Sequence, residues 1–247
     1  MKKNRVDGRY IMGVNCVDEL IKSAPERIKK IYTTNLDSTL EAKLEGTHIS
    51  TKITSKHELT QMVNSDSHQS IVALVKEKNR IDLKQYLEKS FDLDTDLILI
   101  LDSINDPQNL GTLLRAAECF GAGAVMWSKN RGVDLTPVVS KTSVGASELM
   151  TILRVSNLVD AVKKCQKEGY EVVTAEVGKD AKPLHAFTFP RKTVLIMGSE
   201  GAGVRPLLSK QADHRLFVPM AGAIDSLNVS QATSVFLYQW KNSLTNS

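Results

Sequence analysis

The chain has 247 residues, enough for one large domain or two of ordinary size. Its 42% apolar and 24% charged content is that of an ordinary globular protein, and no apolar run approaches the ~20 residues needed to cross a bilayer. The net charge of +4 is spread evenly along the chain, so charge alone marks no nucleic-acid-binding half. Lys2, Lys3, Arg5 and Arg9, opposed only by Asp7, read either as an arm touching phosphates or as a solvated terminus. No signal-peptide core follows Tyr10, so the expected location is cytoplasmic. Cys16, Cys119 and Cys165 are far apart and have no CxxC or Cys/His spacing, which argues against zinc. Cys119 and Cys165 fall in apparent helices and are expected to be buried.

Along the first 75 residues, helical and strand patterns alternate. Val14 to Lys22 predicts a helix, Ile28 to Thr33 a strand and Leu36 to Leu44 a second helix. His48 to Ile53 reads as a strand, His57 to Val63 as a helix and Ser70 to Val75 as an apolar strand. Residues 77–95 are dense in charge, with one short amphipathic piece around Leu83 to Leu87, and are expected to form a linker. This predicts an α/β unit over 1–76, a linker over 77–95 and a second domain over 96–247.

The second domain opens on LILIL (97–101), a continuous apolar run expected of a strand covered on both faces. A helix from about Leu110 to Phe120 follows, then a strand at Ala124 to Trp127 and a helical stretch of small residues at Pro137 to Ser147. Leu158 to Glu168 is an amphipathic helix, and Glu171 to Ala175 and Thr193 to Met197 are strands. Pro206 to Lys210 starts a short helix, Leu216 to Val218 is a strand and Val229 to Trp240 is the last helix. Such alternation implies a parallel sheet covered by helices, with ligands at the carboxyl ends of the strands.

Three loops at those ends are unusually polar. In DSINDPQNLGTLLRAAECFGA (102–122), Asn109 reads as a helix cap or as a site residue. Arg115, well off the apolar helix face, reads as a solvated arginine or as a phosphate ligand. In VLIMGSEGAGVRPLL (194–208), an apolar strand runs into three glycines that let backbone approach a ligand, and Glu200 lies beside a helix start. The spacing is neither Walker A nor GxGxxG. In FVPMAGAIDSLNVSQATSVFLYQW (217–240), Ser226 or Asn228 can cap the final helix, but two polar residues with Ser230 just inside exceed what one cap requires.

Taken in order, Asn109 with Arg115, GSEGAG, and PMAGAIDSLNVS resemble the three signature motifs of the SpoU/TrmH family of RNA 2′-O-ribose methyltransferases over residues 97–240. YIMGVNCVDELI (10–21) and HQSIVALV (68–75) are similar to the L30e-like RNA-binding domain that precedes the catalytic domain in the family's rRNA enzymes. Family members often have glycine where Ser70 stands, and a glutamate-like position where Asp225 stands.

The resemblance implies a SPOUT-type parallel sheet with a deep trefoil knot, a homodimer through the C-terminal domain, and S-adenosylmethionine as methyl donor with no metal. Carried over by position, Gly198, Val218, Leu227 and Thr174 contact the donor. Asn109, Arg115, Glu200, Ser226 and Asn228 form the catalytic set, with Arg115 binding phosphate and stabilising alkoxide charge. The expected substrate is a guanosine of 23S rRNA; the alternatives are a tRNA guanosine or an rRNA adenosine. Two other classes compete. A nucleotide-dependent dehydrogenase is opposed by the absence of GxGxxG, and an inactive RNA-binding assembly factor by the intact motif residues.

Overall fold

Alternating burial along short strands, and one apolar face on each helix, organise the first part of the chain into two layers of core around one sheet. The computed structural model describes residues 7–245. Its first elements are β1 (Arg9–Met12), α1 (Val14–Ser23), β2 (Ile28–Thr33), α2 (Ser38–Leu44), β3 (Ser50–Ile53), α3 (Lys56–Val63) and β4 (Ile71–Val75). The strands make a mixed sheet in the order β1-β4-β2-β3, in which only the β2–β3 pair is parallel. Because side chains alternate along a strand, Ile11, Ile31 and Ala73 meet Val17 and Leu20 of α1 on one face. Met12 and Val72 meet Leu59 and Val63 of α3 on the other. A capping box between Ser55 and Glu58 fixes the start of α3. Ser70 holds a left-handed φ of 62°, the backbone region that favours glycine. A glycine, which the family resemblance expects at this position, would adopt that φ without strain.

The second unit begins at Arg80. It contains α4 (Leu83–Ser90), β5 (Asp96–Asp102), α5 (Pro107–Cys119) and β6 (Ala124–Ser128). The chain then leaves it: Asp134–Leu149, with α6 (Pro137–Thr142) and α7 (Ala146–Leu149), folds with the first unit. It returns through β7 (Thr151–Val155), α8 (Leu158–Lys167), β8 (Glu171–Ala175), β9 (Lys182–Pro183), β10 (Lys192–Gly198), α9 (Pro206–Ser209), β11 (His214–Phe217) and α10 (Val229–Thr245). The seven strands form a parallel sheet in the order β7-β6-β5-β10-β8-β11-β9. All seven residues of β5 are buried, as its unbroken apolar run predicts. The described second unit is therefore the α/β parallel sheet expected from strand–helix alternation.

Two expectations about the boundary are corrected. Residues 77–95 are not all linker: Asp82 and Gln85 form a capping box that starts α4, and Leu83, Tyr86 and Leu87 pack into the core of the second unit. Residues 134–149 do not belong to the sheet unit. Glu148, 3% exposed, is ion-paired to both Arg9 and Arg27, and Ser140 accepts a hydrogen bond from the Met12 backbone at 3.2 Å. Arg9 is thus a buried-pair partner inside β1 and not part of a phosphate arm. Lys2, Lys3 and Arg5 lie outside the described residues.

The amino ends of the strands are closed by a buried polar cluster. Asp96 accepts hydrogen bonds from Tyr86 at 2.7 Å and Tyr170 at 2.6 Å, and Ser90 lies 3.0 Å from the Tyr170 hydroxyl. Burial, followed by the neighbouring Asp96, raises both phenols above their ordinary range. A Cβ on Gly123 would sit 2.0 Å from the Asp96 carboxylate, so the cluster demands glycine there. The carboxyl ends are left for the polar loops.

Candidate active site

Asp106 caps α5, its carboxylate accepting from the backbone N–H of Gln108 and Asn109, both at 3.1 Å. Asn109 is therefore inside the helix and is not its cap. Its side chain is released for other partners. Nδ2 donates to Glu200 Oε1 at 3.3 Å, and Oδ1 accepts from Asn228 Nδ2 and Ser230 Oγ, each at 3.2 Å. Asn228 Nδ2 also donates to Glu200 Oε1. Asn228 does cap α10, through Oδ1 to the Ser230 backbone at 2.9 Å, so one amide serves both roles. Thr112, one turn along α5, places its hydroxyl 2.6 Å from that of Ser230. Residues up to 121 positions apart thus meet in one node that ties three loops together.

Arg115 is exposed on α5, three residues beyond Thr112, and among the described residues it makes no hydrogen bond or ion pair. Helical side chains lean toward the N-terminus of their helix, which inclines Arg115 toward the node. Ser226 is exposed and donates to Asp225 at 3.1 Å. Of the five residues assigned to the acceptor side, the structure joins Asn109, Glu200 and Asn228 directly and leaves Arg115 and Ser226 without a bond to them.

Beside the node lies a cavity of about 690 Å³. Gly198, Val218 and Leu227 line it, as do Glu176, Glu200 and Asp225. No lysine, arginine or histidine does so among the described residues. The glycines serve the loop's own fold first. A Cβ on Gly198 would sit 2.1 Å from the Gly203 carbonyl carbon, because the loop closes on itself through a 2.9 Å bond from Gly203 N–H to Ser199. Thr174 does not line the cavity. It is fully buried, with its hydroxyl donating to Glu176 Oε1 at 3.0 Å, and the next three residues, Ala175 to Val177, reach the cavity instead. Sequence reasoning missed Glu176, which Ser209 and Arg215 also hold, at 2.8 and 2.9 Å. Its signal was a carboxylate just past a strand end. Sequence reasoning also missed the pairing of Asp102 with Arg205.

The cysteines divide differently from expectation. Cys16 and Cys165 are buried, and burial pushes each thiol up to about 12. Cys119, at the end of α5, is exposed.

Comparison with known proteins gives a consistent assignment. The family model described as "SpoU rRNA Methylase family" matches residues 96–238, and "RNA 2'-O ribose methyltransferase substrate binding" matches residues 10–81. The 23S rRNA (guanosine-2'-O-)-methyltransferase RlmB of Coxiella burnetii is 35% identical over 94% of this chain and 94% of its own length. The protein of the same name from Escherichia coli is 31% identical over 93% of this chain and 96% of its own. In three dimensions, the SpoU methyltransferase AviRb of Streptomyces viridochromogenes superposes with a TM-score of 0.79 at 20% identity, covering 100% of this chain and 94% of that one. An rRNA methyltransferase of Sinorhizobium meliloti gives 0.74 at 23% identity, with 99% and 91% covered. The first match spans more than half the chain, and the full-length relatives share about a third of its residues: the chain belongs to the SpoU rRNA methylase family.

Proposed function

We propose that this chain transfers a methyl group from S-adenosylmethionine to the ribose 2′-hydroxyl of a guanosine in 23S rRNA. One observation carries the reading: the Asn109–Glu200–Asn228–Ser230 node stands beside a cavity at the carboxyl end of a parallel sheet. The residues present fit the donor. The cavity is of ligand size, its wall mixes apolar Met197, Val218, Leu227 and Phe236 with backbone-exposing glycines, and its charged groups are all carboxylates, which suit a cationic ligand. Gly198, Val218 and Leu227 hold it, and Thr174 acts only through Glu176.

When bound, S-adenosylmethionine supplies a methyl group already activated by a sulfonium. The chain must then align the ribose oxygen and stabilise the charge that develops on it. The two asparagine amides fix the Glu200 carboxylate, and with Ser226 they position the ribose and the loops. Arg115, without a hydrogen-bond or ion-pair partner among the described residues, binds a substrate phosphate and stabilises developing alkoxide. A guanidinium holds its proton too tightly to serve as the base.

Further parts of this reading rest on family and fold. The C-terminal segment is threaded into a trefoil knot, supported by β10 lying between β5 and β8 while β11 lies outside β8. The first unit, L30e-like, binds RNA, supported by its substrate-binding match. The protein acts as a cytoplasmic homodimer through the second unit, supported by exposed Val235 and Tyr238 one turn apart on α10. Among the described residues no helix is long and apolar enough to cross a membrane.

Ribose-methylation mapping of RNA from cells with and without the protein tests the function. The expected result is loss of one guanosine mark in 23S rRNA. A mark lost only from tRNA, with every ribosomal mark intact, overturns the assignment.

A further inference from the structure

The segment after the glycine loop faces a second cavity. It holds about 420 Å³ at the carboxyl ends of β6 and β7, and every residue lining it belongs to the sheet unit. Leu158, Val159, Pro206 and Leu207 supply apolar wall, and Leu207 is 69% exposed. Asn130, Arg131 and Arg205 supply the polar rim. None of these residues lines the first cavity.

Arg205 is held in an unusual way. Its Nε donates to Asp102 Oδ1 at 2.7 Å and its backbone N–H to Oδ2 at 3.0 Å, while Asp102 is completely buried. A fully buried carboxylate is thus satisfied chiefly by one residue, which fixes the guanidinium plane. Among the described residues, Nη1 and Nη2 have no hydrogen-bond partner. Arg131 is exposed and likewise has none. The turn that carries it is fastened from below. The Arg154 guanidinium stacks 4.9 Å over the Trp127 ring and donates to the Ser128 and Lys129 carbonyls at 3.4 and 3.3 Å.

We propose that this cavity binds an unpaired nucleobase of the RNA substrate, a guanine in preference, beside the nucleotide that is methylated. The inference rests on the function proposed above. The apolar wall takes the face of the base, and a pre-set arginine fork matches the O6 and N7 acceptors of guanine. A phosphate alone would leave Leu158, Val159 and Leu207 unused. The charge is also opposite to that of the first cavity, which carries Glu176, Glu200 and Asp225, so a second donor molecule is disfavoured.

The test uses the full chain and two readouts. Guanosine 5′-monophosphate and, separately, inorganic phosphate are titrated into ¹⁵N-labelled protein. Shifts at the Asn130, Asn157 and Leu207 amides with the nucleotide alone support the inference; equal shifts with phosphate, or none with either, overturn it. In methyl transfer, Arg131→Ala and Leu207→Ser, both at exposed positions, should raise the KM for RNA by about tenfold each, with kcat and donor affinity unchanged. An unchanged KM in a wild-type-active preparation sinks the inference alone. A wild-type protein that methylates no RNA sinks the function, while the titration still reports on the cavity.

Discussion

Two cavities share the stretch Gly198–Leu208, and they carry opposite charge. Gly198–Val204 lines one together with Glu176 and Asp225; Arg205–Leu208 lines the other together with Arg131. Each cavity also takes its firmness from a different source. The first is shaped by backbone that closes on itself at Gly198 and Gly203, the second by a buried carboxylate that grips an arginine. The difference teaches that the two halves of one loop can line two cavities of opposite charge, carboxylates on one side and arginines on the other.

The largest effect is expected from Gly198→Ala. The added carbon has no space against Gly203, so donor affinity should fall more than about 100-fold in calorimetry, as expected when a packed backbone contact is forced apart. RNA binding should persist. Equal loss of both would merge the two cavities into one functional unit.

Arg115→Ala should have an effect of similar order. Methyl transfer should fall by about 10²–10³-fold, the usual loss for removing a group that stabilises developing charge. Donor affinity should stay unchanged in the same preparation. Arg115→Lys should also be poor, because a point charge does not reproduce a planar fork. A matching loss of donor affinity would move Arg115 to the donor side.

Asp102→Asn sharpens the contrast from the other side. It removes the negative charge and leaves one acceptor oxygen where two are used, so it should lower stability by roughly 1–3 kcal/mol in denaturant unfolding. It should also raise the KM for RNA several-fold by freeing Arg205. Donor affinity that falls as steeply as RNA affinity would show that Asp102 serves both cavities.

The smallest effect concerns the thiols. Native protein should take up one equivalent of alkylating reagent, at Cys119, since Cys16 and Cys165 are buried with thiols held protonated to about 12. Donor binding should not change. Rapid reaction of Cys165 would show that the sheet unit opens easily.

The parts of the fold that were legible in sequence are those with local period. LILIL reads as a buried strand because both faces are apolar, and the three polar loops stand out because they interrupt such strands. Asn109, Glu200 and Asn228 were found by their motifs, yet their mutual bonds cannot be read along the chain. The capping box at Asp82 and Gln85 was a visible signal for α4 that the surrounding charge obscured. Asp102 with Arg205, and Glu148 with Arg9, leave no trace in periodicity. Each partner alone looks like an ordinary charge, and the pairs are 103 and 139 residues apart. Truncation at residue 95, natural if 77–95 were linker, would strip Tyr86 from Asp96 and leave Glu148 without its arginines.

The excursion of Asp134–Leu149 sets a timetable for synthesis. A chain emerging from the ribosome exposes its four-stranded sheet by Val75, but Arg9 in β1 and Arg27 just before β2 wait for a carboxylate 73 residues further on, at Glu148. Domains generally fold as units during synthesis, the N-terminal one first. Here the first unit reaches its final form only after β5 and β6 of the second have been made. The nascent protein therefore carries two buried-to-be guanidinium groups, Arg9 and Arg27, without their carboxylate until 139 and 121 further residues have been made.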